Sequence, residues 1–510
     1  MEKYGLTEKE TELLKSAFEK FSQVETVFIY GSRAKNTFRK TSDIDLAVRF
    51  KNGNDASMAQ LKSELDDLPI IHEIDLTDEA QIEAGDFKDE YERTKQIFYL
   101  KGWKTTTLGE VVEITSSKRI FADEYKKSGI PFFRGKEISE KFSGNKISTE
   151  LFISEKKYYE IKNKFGVPEE NDILLTSVGT LGNPYLVEKD LKFYFKDGNL
   201  TWFRNYKDIV PKFLFYWIIS PQGKETLFNA KIGSTQEAYT IAKLKMLSCI
   251  IPPLPEQRAI AAVLSSLDDK IELLRDQNKT LEATAQAIFK EWFVNFNFPG
   301  ATGKTIDSEL GKIPEGWEVD RLTDIFDFIK GIEPGSYNYS VKKLSEDYLP
   351  FYRVQDTLNY NKTPNVFVDK RILNGKIFKK DDILISLDGT IGRIFIGGSG
   401  GYSSGIRKVV GKESFISKFL IYCFLKSDKF QGELNSFAGA ETTIKHAGGA
   451  IEHIKFVFEK SICEEFGKIT NPLFQKMVFN TSQIQILSAL RDALLPKLMK
   501  GELRVRDFND

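Results

Sequence analysis

The chain has 510 residues, 41% of them hydrophobic, and its 73 lysines and arginines balance 73 aspartates and glutamates. This size and composition predict about three globular domains and exclude a chain that is disordered throughout. The balanced charge neither indicates nor excludes nucleic acid, so a DNA-binding surface would have to collect basic side chains on one face.

The three cysteines, Cys249, Cys423 and Cys463, are scattered and lack metal-binding spacing. Their distribution favours a reducing compartment over a disulfide framework. No basic segment followed by an apolar stretch marks a secretory signal, and the longest apolar run, residues 213–219, is too short to span a bilayer. A cytoplasmic protein without a membrane partner is therefore expected.

Residues 1–100 are predicted to form a small α/β domain. Apolar periodicity indicates a helix near residues 7–22 and strands at residues 24–30, 44–50 and 70–76. The connections between these segments are short, which is typical of one compact domain.

A glycine turn and three aspartates mark this domain. The first strand is followed by Gly31-Ser32, and after ten intervening residues come Asp43 and Asp45. Because side chains alternate along a strand, both carboxylates lie on one face and can hold Mg²⁺ for nucleotidyl transfer. This spacing resembles the minimal nucleotidyltransferase family, which includes antitoxins that modify a partner toxin. The resemblance implies that Asp43, Asp45 and Asp75 are catalytic, that Asp43 and Asp45 bind metal, and that Gly31, Ser32 and Arg33 bind nucleotide.

The same segment departs from that family at one place. Lys35-Asn36 stand where the family often has Arg-Gly. A domain that keeps the fold but has lost turnover is therefore the alternative. If the site is active, Mg²⁺ and a nucleoside triphosphate are its expected cofactors, with an acceptor that the residues do not identify.

The remainder of the chain contains one segment twice. Residues 172–182 read Asp-Ile-Leu-Leu-Thr-Ser-Val-Gly-Thr-Leu-Gly, and residues 382–392 read Asp-Ile-Leu-Ile-Ser-Leu-Asp-Gly-Thr-Ile-Gly. Gly102-Trp103 likewise returns as Gly316-Trp317. A repeat of this length predicts two copies of one domain. The predicted copies are residues 101–254 and residues 316–460.

The repeated glycines admit two interpretations. A phosphate-binding loop is one. A hairpin is favoured, because glycine supplies positive φ in tight turns and the neighbouring Ile and Leu side chains would fill a core.

A long helix is predicted after each copy. In residues 255–298 the apolar positions from Ile260 to Trp292 step alternately by four and three residues, as in a helix that pairs with another helix. Residues 299–315, with several Gly and Pro residues, are predicted to be a linker. The second helix lies in residues 461–510.

The second helix shows a similar but interrupted seam. The predicted seam includes Ile469, and Arg491 takes a core-like position. Two separate amphipathic helices are the alternative, but each helix carries an isolated seam Asn, which favours mutual antiparallel pairing as a coiled coil. The predicted seam residues are Leu264, Leu267, Ile271, Leu274, Asn278 and Leu281 in the first helix and Ile484 and Leu487 in the second.

An ordered series of short motifs runs through residues 102–505. The motifs are Gly102-Trp103-Lys104, Pro131-Phe-Phe-Arg134, Ser177-Val-Gly-Thr-Leu-Gly182, Gly233-Ser-Thr-Gln236, Ile251-Pro-Pro-Leu-Pro-Glu-Gln257, Ile313-Pro-Glu-Gly-Trp317 and Leu495-Pro-Lys-Leu498. The series resembles the specificity subunit of type I restriction–modification enzymes. In the second copy the Pro-Pro-Leu-Pro-Glu-Gln run is replaced by Ser461-Ile-Cys-Glu-Glu-Phe466.

The resemblance implies a fold and a function. An α+β multidomain chain would carry two target-recognition domains, each reading one half of a split, asymmetric double-stranded DNA sequence in phage defence. The paired helices would set the spacing and dock methyltransferase subunits, two of them, through which motor-nuclease subunits join. S-adenosylmethionine and ATP would belong to these partners, and DNA recognition itself would need no cofactor.

Exposed polar loop residues are the expected DNA contacts, because Arg suits guanine edges and Gln suits adenine. The candidates are Lys118, Arg119, Arg134, Lys136, Lys231, Ser234, Thr235, Gln236, Arg353, Gln355, Arg407 and Lys408. Two hypotheses follow. The first is a DNA-specificity subunit with an accessory nucleotidyltransferase-like domain, and the alternative is an antitoxin-type nucleotidyltransferase that its C-terminal region targets to DNA.

Overall fold

A computed structural model describes residues 3–51, 56–144, 147–233, 237–359, 364–437 and 447–505. The chain divides into two compact units, Met1–Leu264 with Ala493–Asp510, and Ser265–Asp492. Each unit contains one repeat copy and part of both long helices, and the first unit also contains the N-terminal domain.

The N-terminal domain is an α/β domain, as predicted. Its strands are β1 (Val24–Ile29), β2 (Ile44–Phe50), β3 (Ile74–Asp78) and β4 (Gln96–Leu100). Its helices are α1 (Glu8–Lys20), α2 (Gly31–Ala34), α3 (Ala56–Asp66) and α4 (Asp86–Thr94). Within the described residues the strand order is β3-β2-β1-β4, with β2 and β3 parallel and the other neighbours antiparallel.

Local sequence explains where α1 begins but not where β3 begins. Thr7 caps α1, because its hydroxyl accepts from the Glu10 amide (3.2 Å) while the Glu10 carboxylate accepts from the Thr7 amide (2.8 Å). The third strand starts at Ile74, so the prediction of a strand from residue 70 is wrong at that end. The chain still bends at residues 71–72, and the Ile71 side chain is 97% exposed.

The repeat copy at residues 101–254, called copy 1, is built from short strands and helices. Its strands are β5 (Lys104–Thr107), β6 (Glu113–Thr115), β7 (Ile130–Phe133), β8 (Phe152–Ile153), β9 (Ile173–Thr176), β10 (Pro184–Leu186), β11 (Tyr194–Phe195), β12 (Leu200–Arg204) and β13 (Ser248–Ile251). Its helices are α5 (Leu108–Val111), α6 (Gly135–Phe142), α7 (Glu155–Phe165), α8 (Pro211–Ile219), α9 (Pro221–Asn229) and α10 (Ile241–Lys245). The long helix α11 (Leu254–Phe289) follows.

The copy at residues 316–460, called copy 2, has the same plan. A hairpin of β14 (Thr305–Ser308) and β15 (Gly311–Pro314) precedes it, so the predicted linker at residues 299–315 contains ordered strands. The strands of copy 2 are β16 (Glu318–Arg321), β17 (Phe326–Lys330), β18 (Tyr348–Tyr352), β19 (Phe367–Asp369), β20 (Ile377–Phe378), β21 (Ile383–Ser386), β22 (Ile394–Phe395), β23 (Gly400–Tyr402), β24 (Ile406–Gly411) and β25 (Lys455–Phe458). Its helices are α12 (Leu322–Ile325), α13 (Lys418–Lys426) and α14 (Asp428–Phe437), and the long helix α15 (Lys460–Lys500) follows.

Strand order establishes the duplication. The sheet β10-β9-β12-β6 of copy 1 corresponds strand for strand to β22-β21-β24-β17 of copy 2. The sheet β11-β7-β8 corresponds to β23-β18-β19, and the pair β13-β5 corresponds to β25-β16. The predicted tandem repeat is therefore a repeat of structure as well as of sequence.

The repeated glycine runs form hairpins, as predicted. The Gly182 amide donates to the Thr176 carbonyl (2.9 Å), and the Gly392 amide donates to the Ser386 carbonyl (2.8 Å). These bonds close the turns between β9 and β10 and between β21 and β22. Both glycines have φ near +80°, which a residue with a side chain rarely adopts.

The long helices differ from prediction in detail. After Phe289 the first continues only as a π-helical turn, Lys290–Val294, so it ends before residue 298. Ile469 is 46% exposed and does not belong to the seam, whereas Thr470 is fully buried one position later.

Within the second unit the two helices run antiparallel in contact. Arg491 forms an ion pair with Asp268 (2.7 Å), and Asn480 Nδ2 donates to Asn278 Oδ1 (3.0 Å). Thr481 Oγ1 accepts from Asn278 Nδ2 at 3.1 Å. The predicted seam residues Ile271, Leu274, Ile484 and Leu487 pack together, and Leu267 and Leu281 are half-buried. Leu264 belongs to the first unit, where it is buried in the core of copy 1.

Several chain-distant segments meet at Glu256 in the first unit. Its carboxylate accepts two hydrogen bonds from Arg504 (2.5 and 2.7 Å) and one from Trp103 Nε1 (3.1 Å). Trp103 lies between β4, which ends at Leu100, and β5, which begins at Lys104. This cluster ties the end of the N-terminal domain, copy 1, the start of α11 and the C-terminal segment together.

Candidate functional sites

The three aspartates of the N-terminal domain are near one another at one edge of the sheet. Asp45 and Asp75 are direct partners on the parallel strands β2 and β3, and Asp43 stands just before β2. Partners on neighbouring strands point to the same face, so the strand pairing brings together the carboxylates that the sequence separates by thirty residues.

Gly31 makes room for Asp45. It has φ of +68°, and a Cβ built on it would lie 2.5 Å from Asp45 Oδ2. Any other residue would be strained and would displace this carboxylate. Burial, followed by the charges of Asp75 and Asp43, raises the pKa of Asp45 above its usual range, while Arg33 opposes the shift.

The Arg33 side chain binds the main chain of the protein, so a nucleotide contact at this residue would not be made by its guanidinium. Its side chain is 1% exposed, and its guanidinium donates to the main-chain carbonyls of Ser42 (2.6 Å), Asp43 (2.9 Å) and Tyr4 (2.9 Å). A guanidinium committed to three carbonyls cannot also clamp a phosphate. Arg33 instead fixes the segment that carries Asp43, and is a positioning residue.

The other predicted nucleotide contacts lie in α2, which is a single turn. Ser32 is half-buried, and the Gly31 amide donates to Thr94 Oγ1 (3.3 Å) on α4. Sequence reasoning missed Thr94, because it is 63 residues away from Gly31 along the chain and no local pattern marks it.

Of the described residues, none form a preformed group of three or more His, Cys, Asp or Glu side chains suited to a metal ion. A metal here would take one or two carboxylates and complete its shell with phosphate and water oxygens, as Mg²⁺ commonly does.

In copies 1 and 2, six of the nine predicted DNA contacts that the structure describes form ion pairs with acidic side chains. Arg134 binds Glu137 (2.8 Å) at the start of α6, and Arg353 binds Asp356 (2.8 Å) at the corresponding point of copy 2. Sequence reasoning missed both acids, although their i,i+3 spacing after the arginine was available as a signal. Three lysines are also paired: Lys136 with Glu140 (3.7 Å), Lys231 with Glu237 (2.8 Å) and Lys408 with Asp382 (3.7 Å).

The remaining candidates differ in accessibility. Arg119 binds Asp197 (2.8 Å) yet keeps 68% of its side chain exposed. Lys118 is exposed beside the Phe165 ring, and Gln355 is exposed with its amide oxygen placed to accept from Arg353. Arg407 donates to the Ser404 carbonyl, and burial lowers the pKa of its guanidinium. Ser234, Thr235 and Gln236 lie outside the described residues.

The comparisons with known proteins agree with this architecture. A family model described as type I restriction modification DNA specificity domain matches residues 100–283 and 314–458, well over half of the chain. A second model, described as polymerase beta, nucleotidyltransferase, matches residues 12–102.

Individual relatives match along most of their length. The chain is 28% identical to the type I restriction enzyme MjaIX specificity subunit of Methanocaldococcus jannaschii, over 80% of this chain and 95% of that one. It is 25% identical to the HindI specificity subunit of Haemophilus influenzae, over 72% of this chain and 97% of that one. The crystal structure of the type I restriction–modification S subunit from M. genitalium shares the fold, with a TM-score of 0.50 at 20% identity over 78% of this chain and 96% of that one.

Two copies of one α+β domain, each followed by a long helix, define a tandem recognition protein. The chain belongs to the family of type I restriction–modification specificity subunits, and carries a nucleotidyltransferase-like domain at residues 12–102. The alternative, an antitoxin-type enzyme with a DNA address, is not favoured, because the specificity family accounts for most of the chain. None of the helices within the described ranges is long and apolar enough to cross a membrane.

Proposed function

We propose that this chain directs a type I restriction–modification complex to a bipartite, asymmetric DNA sequence, with one half read by each copy. The observation that carries the proposal is the duplicated strand order, with copies 1 and 2 in different compact units. Two copies that share a strand framework but differ in their loop residues suit a DNA target whose two halves have the same backbone geometry and different base sequences.

Methylome sequencing tests this function. With the chain and its methyltransferase partner present, modified bases should fall in a split motif with a non-specific spacer. Deleting residues 316–505 should abolish recognition of the complete site. A single contiguous motif in the wild type would contradict the proposal.

The partners in this proposal are double-stranded DNA and two methyltransferase subunits that dock on the helices. Motor-nuclease subunits join through these, and S-adenosylmethionine and ATP are bound by the partners. An exposed apolar stripe on α15 supports docking, because Phe479, Ile486 and Leu490 recur at seven- and four-residue spacing on a helix whose opposite face is buried.

Co-purification tests the docking stripe. Phe479→Glu with Ile486→Glu should lose the methyltransferase subunit, because each charge would be desolvated in the interface. Ile306→Glu, an exposed apolar position in the β14–β15 hairpin, is the matched control and should keep the partner. Retention of the methyltransferase by the double variant would place docking elsewhere.

The N-terminal domain acts in this proposal as an accessory nucleotidyltransferase. The fit of Gly31 against Asp45 supports the assignment, because the absence of a side chain at residue 31 lets the Asp45 carboxylate stand beside the glycine turn. Asp43 and Asp45 would hold Mg²⁺, Asp75 would serve as a base or a further ligand, and a nucleoside triphosphate would be the donor. Bound Mg²⁺ would neutralise the triphosphate charge.

Transfer of labelled nucleotide tests this second function. Label should appear on an acceptor only with Mg²⁺ or Mn²⁺, and Asp43→Ala with Asp45→Ala should abolish it while leaving DNA methylation intact. Asp66→Ala with Asp67→Ala, two exposed acids at the end of α3, is the control. Loss of site-specific methylation in the folded Asp43/Asp45 variant would show instead that this domain takes part in reading DNA.

A further inference from the structure

Arg119 of copy 1 and Glu333 of copy 2 carry opposite charges in matching local surroundings. Each lies three residues before the start of a short 3-10 turn, Ala122–Glu124 in copy 1 and Ser336–Asn338 in copy 2. The hydrogen bonds of these turns match, since the amide of Tyr125 donates to the Ala122 carbonyl and that of Tyr339 donates to the Ser336 carbonyl. The residues after Arg119 and Glu333, Ile120 and Pro334, are both buried. Arg119 and Glu333 are therefore structurally equivalent.

A tyrosine, a phenylalanine, an arginine and an acidic residue recur around this position in both copies. In copy 1 the ring of Tyr125 packs on Phe132 with centroids 5.2 Å apart, and Arg134 follows on the same strand connection, bound to Glu137. In copy 2 the equivalent residues are Tyr339 and Phe351 at 5.6 Å, followed by Arg353 bound to Asp356. A shared Tyr–Phe–Arg–carboxylate framework thus surrounds residues 119 and 333.

Each of the two charged side chains also forms a hydrogen bond with a neighbouring loop of its own copy, and the two loops are equivalent. Arg119 Nε donates to Asp197 Oδ2 (2.8 Å), and Glu333 Oε2 accepts from Ser404 Oγ (3.2 Å). These two loops are equivalent. In copy 1 the amide of Lys196, just before Asp197, donates to the Phe133 carbonyl at the end of β7 (2.9 Å). In copy 2 the amide of Ser403, just before Ser404, donates to the Tyr352 carbonyl at the end of β18 (2.9 Å). Copy 1 presents a guanidinium bound to an aspartate, and copy 2 presents a carboxylate that also accepts from the Tyr339 hydroxyl (3.1 Å). Both side chains are exposed.

Main-chain bonds also join the loop that contacts residue 119 or 333 to the glycine hairpin of the same copy. The Ser177 amide donates to the Asn199 carbonyl, and the Leu387 amide donates to Gly405, in the matching loop. The next link is also repeated, because Tyr239 donates to Ser177 as Ala447 donates to Leu387. In each copy, the loop that contacts residue 119 or 333 is therefore bonded to the glycine hairpin, which is bonded in turn to the segment at Tyr239 or Ala447.

We propose that Arg119 and Glu333 are base-reading residues, one for each half-site, and that the shared framework positions them on the DNA backbone. A guanidinium matches the O6 and N7 acceptors of guanine, whereas a carboxylate accepts from the N4 amino group of cytosine. Copy 1 then reads a guanine through Arg119, and copy 2 reads a cytosine on the contacted strand through Glu333. This inference rests on the proposed reading of one half-site by each copy.

The framework arginines have a different role from the base readers. Arg134 and Arg353 stand at equivalent positions of both copies, so they cannot distinguish the two halves. A contact that is the same in both halves is typical of the sugar–phosphate backbone, which fixes orientation without carrying sequence.

Methylome sequencing of the full complex with single variants tests the assignment. Arg119→Gln should relax one guanine of one half-site toward adenine, and leave the other half-site and the spacer unchanged. Glu333→Gln should relax one cytosine of the other half-site only. Arg371→Gln is the matched control, because Arg371 is also an exposed arginine bound to an aspartate, Asp369, but lies in the turn after β19. Its motif should equal that of the wild type.

Binding to modified duplexes gives a second readout that does not need a changed motif. Replacing the assigned guanine by 7-deazaguanine removes its N7 acceptor and should weaken binding of the wild-type complex about ten- to a hundredfold. The Arg119→Gln complex should be insensitive to the same replacement. Comparing both proteins on both duplexes isolates the contact between Arg119 and guanine N7, as a double-mutant cycle does.

The outcomes separate this inference from the function on which it rests. No split motif in the wild type would overturn the proposed function. A split motif that keeps every base in both variants, or a wild type and an Arg119→Gln variant equally sensitive to 7-deazaguanine at every guanine, would overturn the base-reader assignment alone. A change in both half-sites from either single variant would also overturn it.

Discussion

Removing the Glu256 carboxylate should loosen the C-terminal segment of the first unit. Glu256→Ala leaves Arg504, whose side chain is 18% exposed, without its acidic partner, and also leaves the Trp103 indole N–H without its acceptor. Breaking a buried ion pair by removing one partner costs about 3–5 kcal/mol. Because Arg504 keeps some access to water, we take about 3 kcal/mol as the local cost.

Hydrogen exchange measures this cost where it falls. Amides of the segment are bonded in the folded state, for example Gly501 to the Leu498 carbonyl (3.1 Å). A local opening made easier by about 3 kcal/mol should speed their exchange about a hundredfold, at about 1.4 kcal/mol per factor of ten. Lys500→Ala, which removes an exposed pair with Glu502, should change exchange by less than about threefold. If Glu256→Ala behaves like this control, the reasoning that the cluster holds the segment is wrong.

Three further predictions concern the helices and the N-terminal site. Inserting one heptad into both long helices should lengthen the DNA spacer by about three base pairs, because seven residues add about 10 Å of helix. Methylomes with altered half-sites and an unaltered spacer would contradict the hypothesis that the helices set the spacing. Gly31→Ala should abolish nucleotide transfer without changing DNA methylation, because its Cβ would displace the Asp45 carboxylate; labelled transfer at the wild-type rate would refute the need for glycine there. Asp45→Asn should stabilise the N-terminal domain near neutral pH, because the raised pKa of the Asp45 carboxyl means that its ionisation disfavours the folded state. Urea titrations should show that the gain in free energy of unfolding shrinks as pH falls through that pKa. A gain that grows as pH falls would contradict this reasoning.

Periodic features were the ones that sequence could predict. The duplicated runs predicted the tandem copies, and the alternating steps from Ile260 to Trp292 predicted the first long helix. Both features could be predicted because repeats and heptads show directly in the spacing of residues along the chain. The end of that helix was less predictable. A π-helical turn at Lys290–Val294 terminates it where apolar residues still continue.

Features that depend on distant partners escaped prediction. Ile70 and Ile71 have strand-like character, but β3 starts only where the chain joins β2, and Ile71 is left in water. Arg33 looked like a phosphate ligand beside the glycine turn, but its partners are the carbonyls of Ser42 and Asp43 and of Tyr4 across the domain. Neither partner set can be derived from the residues next to it.

The core of copy 1 has a consequence for the order in which the protein is made. Its buried cluster joins residues such as Leu108 and Leu264 with Leu495 and Met499 from the last helix. The N-terminal sheet is complete once Leu100 has left the ribosome, so that domain can fold early. Copy 1 must wait through the synthesis of all of copy 2 before its last apolar side chains arrive, with part of its core open meanwhile. A ribosome that stalls late would therefore release a chain with a folded first domain and an unfinished recognition domain, a natural substrate for chaperones.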